Sequence, residues 1–264
     1  MTVPTILALG GGGFTMETDT TALDDFVLTL AERREPRILF LPTASGDPRE
    51  QIGRFHATYD DRACEPSVLS LFRLAYVTRP LRDIVLSQDI VYVGGGSMRN
   101  LLAIWRVHGL DEILREAWRR GVVLAGLSAG AMCWFEGGVT ASSGCPEPTS
   151  GLGLLPGSLS VHADSEPARR PVLHAAIRTG ALPPGYAADD GAGLLFRDTR
   201  LERAVSSQPR ARAYRVEAAG EAILETPVLP TYLGRAAPAE RPVPFDVQEF
   251  RRAGGRRYGG GRRG

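Results

Sequence analysis

Gly126-Leu127-Ser128-Ala129-Gly130 follows the apolar run Val122–Ala125 and leads into Ala131-Met132. A serine between small residues, at the corner where a buried strand gives way to a helix, is held with its hydroxyl exposed. The amide of the next residue, Ala129, then faces charge developing on a bound carbonyl oxygen. The helix N-terminus favours that negative charge. The chemistry this turn could do is nucleophilic acyl transfer on Ser128. A second glycine cluster, Gly94-Gly95-Gly96, follows the apolar run ending Val91-Tyr92-Val93. Glycines leave amides uncovered, and Gly95 and Gly96 are candidates for the second arm of an oxyanion hole. Gly10-Gly11-Gly12-Gly13 lacks the dinucleotide spacing, and the next apolar run ends in Leu41-Pro42-Thr43 with no acid. It reads as a glycine-lined floor, and no cofactor or metal is expected.

A serine hydroxyl needs a base. Of four histidines, His56, His108 and His174 fall in helical patterns, whereas His162 ends the short alternating run Leu159-Ser160-Val161. His162 is therefore the candidate base. A carboxylate must fix its tautomer, and Asp164, Glu166, Asp189 and Asp190 are all placed to do so. Asp189 and Asp190 are adjacent, so in extended chain only one of them can face the site.

The elements that must hold these groups are legible as alternating apolar runs and amphipathic stretches, the pattern of a parallel sheet covered by helices. Thr5–Leu9, Arg37–Pro42, Asp89–Val93 and Val122–Leu127 read as buried parallel strands. Thr21–Arg33, Glu50–Tyr59, Asn100–Val107 and Leu110–Arg120 read as helices, the first capped near Asp19 or Thr20. Residues 137–160 are rich in Gly, Ser and Pro and read as loops and short antiparallel strands. A helix is expected over Pro171–Arg178, and late antiparallel strands over Gly193–Phe196 and Ala211–Val216.

The 264 residues, 43% hydrophobic and 23% charged, supply one sizeable core. The single domain is placed at residues 1–235, with a C-terminal extension over 236–264. Its end, Arg251–Gly264, is Arg/Gly-rich with almost no apolar content, so it is expected to be disordered from about residue 251. An RNA contact for that tail is weighed against a solvated terminus, and the solvated terminus is preferred. The net charge of +1, carried with 31 arginines and no lysine, points to neither nucleic acid nor a membrane surface. No run approaches a transmembrane length. Met1–Gly10 has no basic lead-in, and three scattered cysteines form no framework. The expected location is cytoplasmic, with room left for a homodimer.

In this order the motifs resemble the S51 serine peptidases, the family of dipeptidase E (aspartyl dipeptidase) and cyanophycinase. The matching pieces are Leu39–Ser45, Val93–Gly96, Gly126–Ala131, Gly151–Pro156, the strand into His162, and Asp189-Asp190-Gly191. They span about residues 5 to 200. The resemblance implies a class I glutamine-amidotransferase-like fold, α/β with a three-layer, mostly parallel sheet. That fold often carries a cysteine where this chain has Ser128, and Cys133, one turn on, reads as helix packing. It implies the triad order Ser128, His162, acid, unlike the Ser…Asp…His order of α/β-hydrolases. The acid falls near Asp190, where the family usually has glutamate.

Aspartyl dipeptidases resemble one another in an arginine, some dozen residues after the histidine, that pairs with an acidic substrate side chain. Arg169 and Arg170 fall at about half that distance. Ser97-Met98 replaces the family's usual Asn-Thr after the triple glycine, so Arg99 is a third candidate for binding substrate. The implied activity is hydrolysis of dipeptides or tripeptides, Asp-X among them, through an acyl-enzyme on Ser128. A cyanophycinase-like C–N hydrolase and a non-catalytic binding protein on the same fold are the alternatives.

Overall fold

A computed structural model describes residues 2–17 and 20–234. The expectations for the extension over 236–264, and for a cap at Asp19, lie outside the described residues.

In chain order the strands are β1 Thr5–Leu9, β2 Arg37–Leu41, β3 Glu65–Val68, β4 Ile90–Val93, β5 Val123–Leu127, β6 Phe135–Thr140 and β7 Glu147–Ser150. They continue with β8 Leu155–Ser160, β9 Gly185–Ala188, β10 Ala192–Arg197, β11 Arg200–Ser206, β12 Ala213–Ala219, β13 Ala222–Val228 and β14 Thr231–Tyr232. The helices are α1 Ala22–Leu28, α2 Arg49–Tyr59, α3 Leu81–Leu86, α4 Met98–His108, α5 Leu110–Arg119, α6 Ala129–Met132 and α7 Arg169–Arg178.

The larger sheet runs β14-β11-β10-β1-β5-β4-β2-β3. Its centre, β1-β5-β4-β2-β3, is parallel throughout, and β10 closes it antiparallel to β1. Alternation along each strand sends side chains to two faces. Ile6, Ala8, Leu39, Leu41, Val91, Val93 and Leu124 pack on one face with Leu101, Trp105, Leu114 and Trp118 of α4 and α5. Leu7, Leu9, Ile38, Phe40, Ile90, Tyr92 and Val123 pack on the other with Leu23 and Val27 of α1 and Phe55 and Tyr59 of α2. Each fully buried large side chain contributes about 1.5–3 kcal/mol. The result is the mostly parallel three-layer α/β arrangement of the class I glutamine-amidotransferase-like fold.

Three local expectations change. Residues 137–160 are more ordered than a loop region: β6, β8 and β9 are parallel neighbours inside a second sheet, β13-β12-β9-β8-β6-β7. Their glycines mark close strand approach, since a Cβ on Gly138 would stand 2.4 Å from the Leu159 carbonyl oxygen. The first helix stops at Leu28 instead of Arg33, and the Thr20 hydroxyl accepts from the Ala22 amide at 3.2 Å at its start. The helix expected from Asn100 begins at Met98, because the Ser97 hydroxyl accepts from the Asn100 amide as an N-cap.

One buried acid lies away from the triad. Asp24 is 1% exposed and accepts the Tyr59 hydroxyl at 3.0 Å. Its Oδ2 and the Tyr92 hydroxyl are buried without partners among the described residues. Burial pushes the Asp24 carboxyl up to about 6, against the lowering pull of the Tyr59 and Phe14 hydrogen bonds. The fold therefore binds this proton more tightly than the unfolded chain does. The stability it contributes is complete below about pH 4 and is lost as pH climbs through about 6. Carrying the charge at pH 8 costs the fold about 3 kcal/mol. Asp24→Asn should raise Tm by several degrees at pH 8, and the gain should vanish near pH 4. Thermal unfolding across that range checks it, and an equal shift at both ends would refute the burial account.

Candidate active site

β5 is fully buried and ends against two close backbone approaches. A Cβ on Gly126 would come 2.1 Å from the Gly130 carbonyl oxygen, and one on Gly130 would come 2.4 Å from that of Val93. Only glycine lets α6 turn so tightly off the strand. At the corner Ser128 takes φ 52°, ψ −116°, while its amide donates to the Leu9 carbonyl at 3.0 Å. A non-glycine residue in that region carries strain of about 1–3 kcal/mol, of the kind found at functional corners.

The His162 Nε2 stands 2.9 Å from the Ser128 Oγ, and its Nδ1 stands 2.5 Å from the Asp190 Oδ1. The two catalytic candidates come from different sheets: Ser128 follows β5, and His162 follows β8 at a positive φ of 56°. Asp190 lies in the link between β9 and β10, where one sheet hands the chain to the other. Its second oxygen accepts the Ser165 hydroxyl at 2.6 Å, and its amide donates to the Asp164 Oδ1 at 2.9 Å. Burial works against ionising Asp190. The hydrogen bonds from His162 and Ser165 outweigh it and hold the carboxyl below the usual aspartate range.

Asp189 turns the other way. Its Oδ2 accepts the Arg212 amide at 2.8 Å, and burial pushes its carboxyl up. Glu166 points to Arg169 instead of to the histidine. Of the four carboxylates open at the level of sequence, Asp190 is the one the fold brings to His162.

The glycine clusters lie against this line. A Cβ on Gly11 would stand 2.0 Å from the Asp190 Oδ1 and 3.0 Å from the His162 Nδ1, so Gly11 backs the acid–base pair. The Gly11 carbonyl also accepts the Gly191 amide at 3.1 Å. Gly95 lies beside the nucleophile, its Cβ position 3.2 Å from that of Ser128. Gly96 takes φ 138° and would clash with the Ala44 carbonyl if it carried a side chain. Ala129 is the first residue of α6, so no helical carbonyl can take its amide.

A cavity of about 400 Å³ opens over Ser128 and His162, walled by Gly96, Ser97, Thr140, Ser142, Glu166 and Arg169 among others. Arg169 is the one of the three arginine candidates that lines it. Arg170 is held on Glu225 at 3.0 Å with its guanidinium 4.7 Å over the Tyr214 ring. Arg99 reaches Glu147 at 2.7 Å. Those ion pairs turn both arginines to other partners, and the expectation that they line the site is corrected. His174 shares Glu225 with Arg170, and His56 of α2 lies against Asp60, the residue that caps that helix's C-terminus. Cys133 is fully buried, as expected of helix packing. Sequence reasoning missed Ser165, for which no local signal exists, and Thr140 and Ser142, hidden in the stretch read as loop. Among the described residues no three or more His, Cys, Asp and Glu side chains cluster as a metal site would require. No described helix is long and apolar enough to cross a membrane.

The model of peptidase family S51 matches residues 6–204. This chain belongs to peptidase family S51. As a member of it the chain is a serine-type peptidase. It is 50% identical over 229 residues to the uncharacterized peptidase YgaJ of Bacillus subtilis (strain 168), covering 87% of this chain and 99% of that protein. Two solved structures share the fold. A peptidase from an acI-B1 Actinobacterium superposes with a TM-score of 0.64 at 19% identity, over 84% of this chain and 94% of its own. A putative peptidase E protein from Listeria monocytogenes EGD-e gives 0.55 at 14% identity, over 77% and 98%.

Proposed function

We propose that this S51 peptidase hydrolyses short peptides, of two or three residues, through an acyl-enzyme on Ser128. What supports this reading is the unbroken hydrogen-bonded line from the Ser128 hydroxyl through His162 to Asp190. His162 Nε2 takes the hydroxyl proton as the Ser128 Oγ attacks the scissile carbonyl, and the ionised Asp190 steadies the imidazolium that forms. The tetrahedral oxygen is held by the Ala129 amide and by Gly95 or Gly96. Collapse returns the proton from His162 to the departing amine. Water, deprotonated by the same histidine, then attacks the ester and releases the acid. A cavity of about 400 Å³ is the size of small-ligand sites, which favours short peptides over folded proteins. The unpaired Cys64, Cys133 and Cys145 suit a reducing compartment, the cytoplasm.

A fluorophosphonate probe tests the reading. It should modify Ser128 in the parent protein, located by mass spectrometry of the labelled peptide, and His162→Ala should slow that modification by about 100-fold or more. An unmodified Ser128 in the parent protein would count against a catalytic serine and for a binding protein on this fold.

A further inference from the structure

Among the described residues, apart from His162, two charged side chains line the cavity over Ser128: Glu166 and Arg169. They are unequal. The Arg169 side chain is 7% exposed, with Nε on the Glu166 Oε2 at 2.7 Å and Nη1 on the Val139 carbonyl at 2.5 Å. A guanidinium grips a carboxylate through two parallel N–H bonds. Two of its five N–H donors, on Nε and Nη1, are already committed to protein acceptors, and the group is nearly buried, so little of it is presented to a ligand. The Glu166 side chain is 44% exposed. One of its oxygens is on Arg169, and the other has no protein hydrogen bond among the described residues. The Arg169 hydrogen bond holds the Glu166 carboxyl below its ordinary range, so it is ionised at neutral pH. The Glu166 amide donates to the His162 carbonyl at 2.8 Å, which places the carboxylate one turn beyond the base. Of this ion pair it is the carboxylate of Glu166 that is the more exposed, in the same cavity as Ser128 and His162.

We propose that Glu166 anchors the free N-terminal ammonium of the substrate, with Arg169 as its buttress and not as a receptor for an acidic side chain. The inference rests on the serine-peptidase reading above. Every short peptide carries that ammonium within a residue or two of its first peptide bonds. An N-blocked peptide, or the interior of a protein, has none there. A basic side chain offers the same charge, and the test separates the two sources.

The experiment compares free and N-acetylated trialanine, and acetylated Ala-Arg-Ala, as substrates of the full chain. Free trialanine should exceed acetylated trialanine in kcat/KM by about tenfold or more. Glu166→Gln keeps a carbonyl for the Arg169 Nε–H and loses the charge. It should bring that ratio toward one, mostly through KM for the free peptide. Raising pH above about 8, where the peptide ammonium deprotonates, should lower the ratio in the parent and not in the variant. A parent ratio near one, an unchanged ratio in Glu166→Gln, or full rescue by the arginine of the acetylated peptide would overturn the proposal. So would a fluorophosphonate-reactive Ser128 that cleaves neither trialanine. An unreactive Ser128 would instead remove the reading beneath it.

Discussion

Ser128→Ala should lower kcat for short peptides by about 10⁵- to 10⁶-fold, the scale on which a serine nucleophile acts together with its base. That is a loss of about 7–8 kcal/mol of transition-state stabilisation. The fold should be indifferent. Among the described residues the hydroxyl has one hydrogen-bond partner, the His162 Nε2 at 2.9 Å. Alanine keeps the Cβ, so the corner at φ 52° is no more strained than before. Unfolding free energy should move by no more than about 0.5 kcal/mol. A stopped reaction in a chain with the parent melting curve is the expected pair of results. Hydrolysis by the alanine variant at the parent rate would remove Ser128 from the mechanism.

Asp190→Asn should cost about 10²- to 10⁴-fold in kcat. The site offers an asparagine two poses. With its carbonyl toward His162, Nδ1 stays protonated and Nε2 can still take the serine proton, yet the imidazolium loses its counter-charge. With its amide toward His162, Nδ1 must accept, and Nε2 carries the proton and cannot act as base. Ser165 permits both, since its hydroxyl can donate or accept. The spread in the expected loss is the spread between these poses. Steady-state rates alone measure it, and a crystal structure of the variant would show which pose holds. Asp189→Asn is the contrast: its carboxylate faces the Arg212 amide, so the line to Ser128 stays intact. Equal losses from both substitutions would mean that the acid acts through the backbone of the link and not through His162.

The parts of this site that are legible in the sequence are those made by neighbours in the chain. The corner at Ser128 is local: an apolar run, two glycines and a serine suffice to describe it. His162 stands out because it ends an alternating run. The choice between Asp189 and Asp190 is not local. Both follow β9, Asp190 in the turn with Gly191, and which of them meets His162 is set by Gly191 at φ 75° and by the pairing of β9 with β12. Arg99 and Arg170 fail as site residues for the same reason, because Glu147 and Glu225 lie on distant strands.

The central strands of the large sheet were readable from their apolar runs, whereas of the small sheet only β12 and the end of β8 were. Phe135–Thr140 and Leu155–Ser160 carry glycine and proline where a strand usually carries branched side chains. There the glycines serve contact between backbones, with a Cβ on Gly185 falling 2.0 Å from the Ser158 carbonyl oxygen. β3, Glu65-Pro66-Ser67-Val68, is a half-exposed edge with no alternation to find.

Asp190 lies on the passage from the small sheet to the large one, and β10, just beyond it, pairs antiparallel with β1. A ribosome making about 5–20 residues per second adds the acid several seconds after the serine, since about 60 residues separate them. Through that interval the nascent chain carries the proposed nucleophile without the carboxylate that pairs with His162. On the mechanism proposed above, the triad is complete only once the chain has been made past residue 190, so a nascent chain still short of β10 would carry the serine with its base unsupported.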